Sequence, residues 1–315
     1  MKKFFSIVLL CLAHNVMFAQ MGLGKPEDIK EVAAKPLLVV LDVENPKTIK
    51  KLEKKPLELQ QYREDVAAYN SGVKAAFKNT WTFSKEVKYV TQDGLDSIMD
   101  DKSKKKLYAF FSPTIHRSYS SASAGEAAIP NTYSLDIGLT DQKMPVYSIM
   151  FSSVKPTEGD LTFVIQQCEA YFKQRLEKKD QKTKEVVAEI LAKSPMLKEK
   201  TLLIDKDAVN KNLVKDIAQV YKYKYELCSK EKIDNAITAK DANYVYIKNL
   251  PVLQVADRNL TNRKDYAPTV AQMHYMQFVV YALDGSRVSM IDGMNSDGKT
   301  SKKDIQNLSE HIEGK

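Results

Sequence analysis

The feature of this sequence that most constrains its fold is a pattern of apolar residues that occurs twice. Two matches lie in predicted helices: Val73, Phe77 and Trp81 with Leu213, Ile217 and Tyr221 at an offset of 140, and Leu161, Val164 and Cys168 with Ile305, Leu308 and Ile312 at an offset of 144. Between them, further matches have offsets of 138 (Val87 with Tyr225), 136 (Tyr108 with Tyr244) and 142 (Val146 with Val288). Offsets that drift by a few residues are typical of repeated units with insertions in their loops. The pattern predicts two copies of one module, and a coincidence between two ordinary α/β domains is the alternative.

Each copy has the same predicted order of elements, β-α-β-α-β-β-β-α, with the first copy in residues 36–177 and the second in residues 199–313. Short apolar or alternating runs predict the strands, and apolar residues at helical spacing predict the helices. Asp284-Gly285 predicts a tight hairpin turn in the second copy. The predicted fold is therefore mixed α/β, with two modules that are each a mixed sheet backed by helices. Residues 178–198 are predicted to be a helical linker, and residues 20–35 a loose entry segment.

The N-terminus has the layout of a secretory signal peptide over residues 1–19. Lys2 and Lys3 form a positive start, an apolar run follows, and Ala19 stands at the expected cleavage point. The apolar run is too short to span a bilayer, although a short membrane anchor is the alternative. A leucine precedes Cys11, where a lipoprotein signal requires a small residue, so lipidation is not expected. We therefore expect a protein that is exported to the periplasm or beyond.

The positive charge of the chain is modest and spread over its polar stretches. The formal net charge of +8 falls to +6 without residues 1–19, which carry two lysines and no acidic residue. The lysine-rich stretches are Lys50, Lys51, Lys54 and Lys55; residues 102–106; and residues 178–184. These lysines are not interleaved with aromatic residues, and the chain is expected to leave the cytoplasm, so nucleic acid is disfavoured as a partner. A solvated surface is the simplest interpretation, and attraction to an anionic envelope surface or glycan is the alternative.

Two cysteines remain after the predicted cleavage, Cys168 and Cys228. Export permits a disulfide between them. Both lie in apolar stretches of different modules, however, where two buried free thiols are an equally good prediction. No C-x-x-C or Cys/His spacing indicates a metal site, and no glycine-rich phosphate loop is present, so no cofactor is predicted.

Four segments of the second copy follow the pattern of a known envelope domain. They are the helix and strand of residues 213–225, the strand Ala-Asn-Tyr-Val-Tyr-Ile of residues 242–247, the strand and turn Phe-Val-Val-Tyr-Ala-Leu-Asp-Gly of residues 278–285, and the closing helix of residues 304–313. In this pattern the chain resembles the amino-terminal α/β domain of the TolB family and the related domain of curli-secretion-type envelope lipoproteins. It lacks the propeller repeats of the first and the lipid-bearing cysteine of the second. The resemblance implies a non-catalytic interaction domain located in the envelope.

A pair of carboxylates follows the first predicted strand of each copy, Asp42 with Glu44 and Asp205 with Asp207. Residues two apart on a strand lie on the same face. Such a pair could bind a cation or take part in acid–base chemistry. The alternative is a solvated strand end that caps the next helix. This is the one candidate chemical feature present in both copies.

Two other segments suggest chemistry less strongly. His116 precedes a loop rich in Ser, Ala and Gly that contains Ser118, Ser120, Ser121 and Ser123. A hydrolase would also need an orienting carboxylate and an oxyanion hole, and no G-x-S-x-G motif is present. Residues 292–298 resemble a calcium loop, but Met294 and Ser296 stand where an EF-hand requires oxygen ligands. A turn at the exit of a hairpin is therefore the prediction for that segment.

The aromatic residues are predicted to belong mainly to the core, because Trp81 and most of the tyrosines have helical or strand spacing. Tyr221, Tyr223 and Tyr225 alternate, so one exposed aromatic face for a glycan is a second interpretation.

The sequence as a whole predicts a non-catalytic exported interaction protein of the bacterial cell envelope. Its tandem modules would dock other envelope proteins through sheet edges or through aromatic and lysine-rich surfaces. A glycan- or small-ligand-binding periplasmic protein is the alternative, and a hydrolase is a third possibility.

Overall fold

The computed structural model describes residues 24–116, 132–151, 155–178, 181–256 and 270–314. The predicted signal peptide and the serine-rich loop after His116 lie outside these residues. The helices and strands up to residue 177 are α1 (Pro26–Ala34), β1 (Leu37–Leu41), α2 (Pro46–Leu52), α3 (Pro56–Thr80), β2 (Val87–Thr91), α4 (Gln92–Asp100), β3 (Ala109–His116), β4 (Thr132–Leu139), β5 (Tyr147–Phe151) and α5 (Glu158–Glu177).

The remaining elements are α6 (Thr183–Leu191), a 3-10 helix (Ser194–Lys198), β6 (Thr201–Asp205), a second 3-10 helix (Lys206–Ala208), α7 (Lys211–Val220), β7 (Tyr225–Cys228), α8 (Lys230–Thr238), β8 (Tyr244–Ala256), β9 (Val270–Tyr281), β10 (Arg287–Asn295) and α9 (Lys302–Glu313). None of the described helices has both the length and the apolar composition needed to cross a membrane.

The two modules contain five-stranded sheets with the same strand order, β2-β1-β3-β4-β5 in the first and β7-β6-β8-β9-β10 in the second. In each sheet the first three strands are parallel. The last two strands join antiparallel in each case. This confirms the predicted order β-α-β-α-β-β-β-α and the mixed α/β fold class. Mixed sheets of this kind bury both faces only if helices or another domain cover them.

The register of the two sheets follows the offsets found in the sequence. The equivalent parallel neighbours are Leu37 with Val87 and Ala109 in the first sheet, and Leu202 with Tyr225 and Val245 in the second. The equivalent hairpin neighbours are Ile137 with Tyr147, and Val279 with Ser289. The numbering differences are 138 between β2 and β7, 136 between β3 and β8, and 142 between the hairpin strands, as the apolar pattern predicted, whereas β1 and β6 differ by 165. The modules are therefore similar in strand order, strand direction and register.

Helix starts are also equivalent in the two modules. Thr91 and Ser229 cap α4 and α8, and each side chain accepts a hydrogen bond from a first-turn amide. Thr157 and Ser301 cap α5 and α9 with full capping boxes. A capping side chain satisfies amides that have no partner within the helix, so it fixes where the helix begins.

One prediction about the chain entry was wrong. Residues 26–34 form helix α1 rather than a loose segment, with Pro26 at its first turn and Ile29 and Val32 fully buried. Proline at the first helical position and acidic residues in the first turn favour a helix start. Helix α1 has only nine residues, so its apolar periodicity is weak in the sequence. Its burial against the first module stabilises it.

The predicted linker, residues 178–198, contains α6 and the 3-10 helix Ser194–Lys198. Val186 and Ile190 of α6 and Leu197 of the 3-10 helix are buried. These two helices contact β10 and α9, so the segment packs against the second module.

Helix α5 lies between the two modules. One side of it contacts α3 of the first module and another side contacts α8 of the second. Almost every residue from Gly159 to Phe172 is buried, which is unusual for a helix at the edge of a single module. A Cβ added to Gly159 would lie 2.8 Å from the Cα of Asp234 on α8, so only glycine permits this close approach. The modules therefore share one helix as a common part of their cores.

The contact between modules includes an apolar and a charged part. The ring of Phe163 packs edge-to-face on Tyr246, with ring centroids 6.5 Å apart. Asp160, of which only 2% of the side chain is exposed, pairs with Lys230 at 2.6 Å and also with Lys248. Burial alone would raise the pKa of Asp160, but the two ammonium groups outweigh burial and hold that pKa below its ordinary value. Asp160 is therefore a charged group that both modules require.

The residues at positions equivalent to this contact are polar, on α9 in the second module and on the sheet in the first. At the position on α9 that matches Phe163, the residue is Asn307. The cross-strand triplet Lys248–Phe278–Met290, part of the second sheet, corresponds to Ser112–Asp136–Ser148 in the first. Ser148 Oγ donates to Asp136 Oδ1 at 2.6 Å. The residues that form the contact between the modules therefore have polar counterparts at the equivalent positions, and Ser112 and Asp136 among these are buried.

Candidate functional site

The first carboxylate pair, Asp42 and Glu44, lies beyond β1, which ends at Leu41. Asp42 Oδ1 accepts a hydrogen bond from the amide of Val43 at 2.9 Å. Glu44 forms an exposed ion pair with Arg63 at 3.3 Å. The prediction that this pair shares one strand face was wrong, because the strand ends before either residue.

The second pair is arranged in the same way. Asp205 is the last residue of β6, and its Oδ1 accepts a hydrogen bond from the amide of Asp207 at 3.0 Å. Asp207 lies in the 3-10 helix that follows rather than on the strand. Within the described ranges, no group of three or more His, Cys, Asp or Glu side chains is placed to hold a metal ion. In both pairs, therefore, the first carboxylate accepts a backbone hydrogen bond at or just after the carboxyl end of equivalent strands, and Glu44 in addition contacts α3.

The histidines are far apart. His116 ends β3, and the serines predicted to accompany it lie outside the described residues. His274 is in β9. His311, in the last turn of α9, is within 3.3 Å of Asp292 Oδ2 through Nε2 and within 3.2 Å of the carbonyl of Met290 through Nδ1.

We expect the His311–Asp292 pair to make stability depend on pH. Hydrogen bonding to Asp292 raises the pKa of His311, against the opposing effect of partial burial, and the Met290 carbonyl and Glu310 add to the rise. A raised folded-state pKa stabilises the protein fully below the unfolded-state pKa of about 6.5. The stabilisation is lost as pH rises through the folded-state pKa.

Thermal unfolding of wild type and Asp292→Asn between pH 5.5 and 9 measures this effect. The wild type should have the higher Tm at acidic pH, and the two curves should converge at alkaline pH. A difference in Tm that is the same at every pH would contradict a role for His311 ionisation.

Both cysteines are free thiols, and both are buried. Cys168 lies in α5 and Cys228 ends β7, so they belong to different modules as the sequence indicated. Burial raises the pKa of the Cys168 thiol well above its ordinary value. A thiol held in its neutral form is a poor nucleophile and a poor metal ligand.

The aromatic residues considered for glycan stacking are packed against one another. Tyr221 is 1% exposed, and Tyr223 and Tyr225 lie edge-to-face on it with centroids 5.5 and 6.3 Å away. Trp81 is also in the core, where it contacts Phe77. This arrangement leaves no flat row formed by all three tyrosines.

A pocket of about 590 Å³ lies where α7 and α9 begin, and its lining is basic. It is lined by Asn210, Lys211, Asn212, Lys299, Ser301, Lys302 and Lys303. Lys302 pairs with Asp216 at 2.8 Å. Lys211, Lys299 and Lys303 are exposed and form no ion pair with any other residue in the described part of the chain. Three uncompensated ammonium groups therefore face one concave surface.

Backbone hydrogen bonds bring the two helix starts together. The amide of Thr300 donates to Ala208 at 2.9 Å, and the amide of Asn210 donates to Thr300 at 3.0 Å. The preceding turn is held by Asn295 Oδ1, which accepts from Gly298, and by Asp297 Oδ1, which accepts from Lys299. Of the segment that resembles a calcium loop, residues 292–295 are therefore the irregular end of β10 rather than a turn, and the bend that follows them positions Lys299 at the pocket.

The start of α7 has free donors. Asn210 occupies the N-cap position, but its side chain makes no capping hydrogen bond. The first amides of a helix have no acceptor within the helix, and they carry the positive end of the helix dipole. Amides and lysines together make this pocket a site that suits an anionic group.

The lysines themselves oppose helix stability at these positions. Lys211, Lys302 and Lys303 lie in the first turns of α7 and α9, where the dipole favours acidic residues. Sequence reasoning missed this site, because its residues lie in two segments almost 90 positions apart. The available signal was a Ser-x-x-Asp capping box whose two inner residues, Lys302 and Lys303, are both lysine, together with a second helix start that lacks acidic residues.

No protein-family model, curated protein or solved structure matches this chain. The resemblance to the TolB-type domain stays a prediction.

Proposed function

We propose that this chain is a non-catalytic interaction protein of the bacterial cell envelope, exported by way of its N-terminal segment, and that it docks other envelope proteins. The basic pocket of the second module carries the proposal. It would receive a carboxylate or phosphate group that an envelope partner presents. The described pocket residues include lysines, asparagines and one serine, a set suited to binding by charge and hydrogen bonds.

The positions of the lysines support a binding role. A cationic residue in the first turn of a helix typically lowers helix stability by about 0.3–1 kcal/mol. Residues that reduce stability without a local benefit are expected mainly at functional sites. Lys211 and Lys303 each meet this description, because neither has a described ion-pair partner.

Replacing these lysines is expected to separate stability from binding. Lys211→Glu with Lys303→Glu should raise the stability of the free protein by about 1 kcal/mol, because acidic residues suit helix N-termini. The same variant should lose any rise in Tm that inorganic phosphate gives the wild type beyond that of chloride at equal ionic strength, since a ligand stabilises only the state that binds it. Differential scanning fluorimetry with both salts measures both effects.

Lys215→Glu is the matched control. Lys215 is exposed on α7, one turn further along, and does not line the pocket. It should keep the wild-type response to phosphate. An equal loss of response in this control, or a wild type that phosphate stabilises no more than chloride, would contradict an anion site.

The proposed docking is tested with immobilised mature protein and solubilised envelope fractions. Wild type and Lys215→Glu should retain the same protein partner, and the double pocket variant should release it. A glycan with carboxylate or phosphate groups presents the same chemistry, so it is the second candidate. Pocket-dependent retention of an acidic glycan without any reproducible protein partner would sink the protein-docking proposal in favour of the glycan.

A further inference from the structure

The first module contains a helical projection that the second module lacks. Helix α3 has 25 residues and α7 has 10. Their C-terminal caps, Trp81 and Tyr221, are equivalent, so the additional residues are all at the N-terminal end of α3. Fifteen helical residues extend about 22 Å. The first ten residues of this extension, which precede the buried Val66, form together with α2 a unit that we call the arm, residues 46–65.

The arm contributes nothing to the hydrophobic core. Of the described residues 46–65, none is buried, and the first buried residue of α3 is Val66. Because the arm buries no residue, the stability of its own module does not explain it.

The arm is nevertheless held in one arrangement at its base. Asn45 caps α2 by accepting hydrogen bonds from the amides of Lys47 and Thr48. The amide of Asn45 donates to Tyr62 Oη on α3 at 2.7 Å. Glu44 pairs with Arg63 at 3.3 Å. These contacts join the start of α2 to α3 and so direct the α2–α3 turn outward.

The tip of the arm is cationic and carries an exposed leucine. Residues 46–55 contain five lysines and one glutamate. Lys50, Lys51 and Lys54 are exposed, and Lys55 pairs with Glu58 at 2.8 Å. Leu57 is 81% exposed, the largest exposed fraction among the large apolar side chains described.

We infer that the tip of the arm docks on an anionic phospholipid surface. The lysines would contact lipid headgroups, and Leu57 would enter the boundary between headgroups and acyl chains. Basic residues near an anionic bilayer each strengthen attraction, and an apolar side chain among them adds burial.

The shape and composition of the tip favour lipid over a protein partner. Most of the binding energy of a protein interface comes from a few side chains that fill pockets on the partner, or from a concave site that receives a partner's group. The tip instead offers one leucine among lysines on a narrow projection. A bilayer needs no complementary pocket, so it accepts this surface directly.

The first test is co-sedimentation of the full mature chain with vesicles. Binding is expected to vesicles in which about a third of the lipid is phosphatidylglycerol, and not to pure phosphatidylcholine. Lys51→Gln with Lys54→Gln should weaken binding about 25-fold, from roughly fivefold for each lysine. Circular dichroism should remain that of the wild type, because neither residue is buried.

The matched control removes the same charge outside both the arm and the pocket, with Lys215→Gln and Lys224→Gln, two exposed lysines of the second module. This variant should bind vesicles as the wild type does. Loss of vesicle binding in this control that equals the loss in the arm variant would overturn the role of the arm, and so would equal binding to neutral vesicles or no binding at all. None of these results bears on phosphate-dependent stabilisation of the pocket, so the two proposals fail separately.

Leu57→Trp gives a second readout. The chain has one tryptophan, Trp81, which is 8% exposed, so added emission reports on the tip. Phosphatidylglycerol vesicles should shift this added emission to shorter wavelength. Sedimentation without such a shift would show that Leu57 stays in water and would reject the insertion step.

Discussion

Asp160→Ala is expected to lower the free energy of unfolding by about 3 kcal/mol. The substitution removes the shared partner of Lys230 and Lys248. Lys248 is 14% exposed and would remain as a buried charge without its carboxylate, whereas Lys230 is 43% exposed and can turn toward water. The loss should therefore lie at the lower end of the range for broken buried pairs. Denaturant unfolding followed by circular dichroism measures it.

Asp304→Ala provides the matched control for this prediction. Asp304 is the capping-box acid of α9, as Asp160 is for α5, and accepts a hydrogen bond from the Ser301 amide, but it forms no ion pair with any described residue. It should lose about 1 kcal/mol, the typical effect of a lost cap. Equal losses for the two variants would mean that Asp160 acts only as a cap, and that the lysines of the second module add nothing.

Phe163→Ala should be at least as damaging, with a loss of about 3–5 kcal/mol. The ring is fully buried and contacts Tyr246, and the ammonium group of Lys248 lies 5.4 Å from its centroid. Truncation would leave a cavity at the junction of the modules. Because α5 is part of both cores, we expect amide hydrogen exchange to accelerate on both sides of it.

The equivalent residue on α9, Asn307, is the control. Asn307 is half-buried, and Asn307→Ala should lower stability by about 1 kcal/mol or less, the typical effect of a point substitution. Faster exchange confined to the first module in the Phe163 variant would contradict a shared core and would favour two modules that unfold independently.

The fold of each module was predictable from the sequence, because the residue patterns that indicate its strands and helices are local. Period-two runs such as Tyr147, Ile149 and Phe151 predicted β5, and the same run is buried at alternate positions. The numbering offsets held at the level of strand register, since an insertion in a loop changes numbering without changing which residues pair. Helix α1 was missed because it has only nine residues, and two of them, Ile29 and Val32, make its buried contacts.

The relation between modules and the candidate site were not predictable in the same way. Phe163 and Gln167 belong to the intermodule contact. The apolar periodicity of α5 predicted one buried side, against its own module, and did not indicate that the opposite side is buried as well. Gln167 Nε2 donates to the carbonyl of Gly285 at 2.6 Å, a contact that no local pattern encodes. The pocket depends on a pairing between Val209 and Thr300 that juxtaposes two helix starts. Only tertiary structure reveals such neighbours.

The shared helix has a consequence for the order in which the chain folds. Synthesis proceeds from the N-terminus, and α5 is complete once residue 177 has emerged. At that moment the first sheet has its covering helix, but the opposite side of α5, with Phe163 and Asp160, has no partner until β8 and α8 have followed. Until then, the nascent first module exposes this apolar and charged face of α5 to water. We expect it to reach its final packing only when the second module closes over that face.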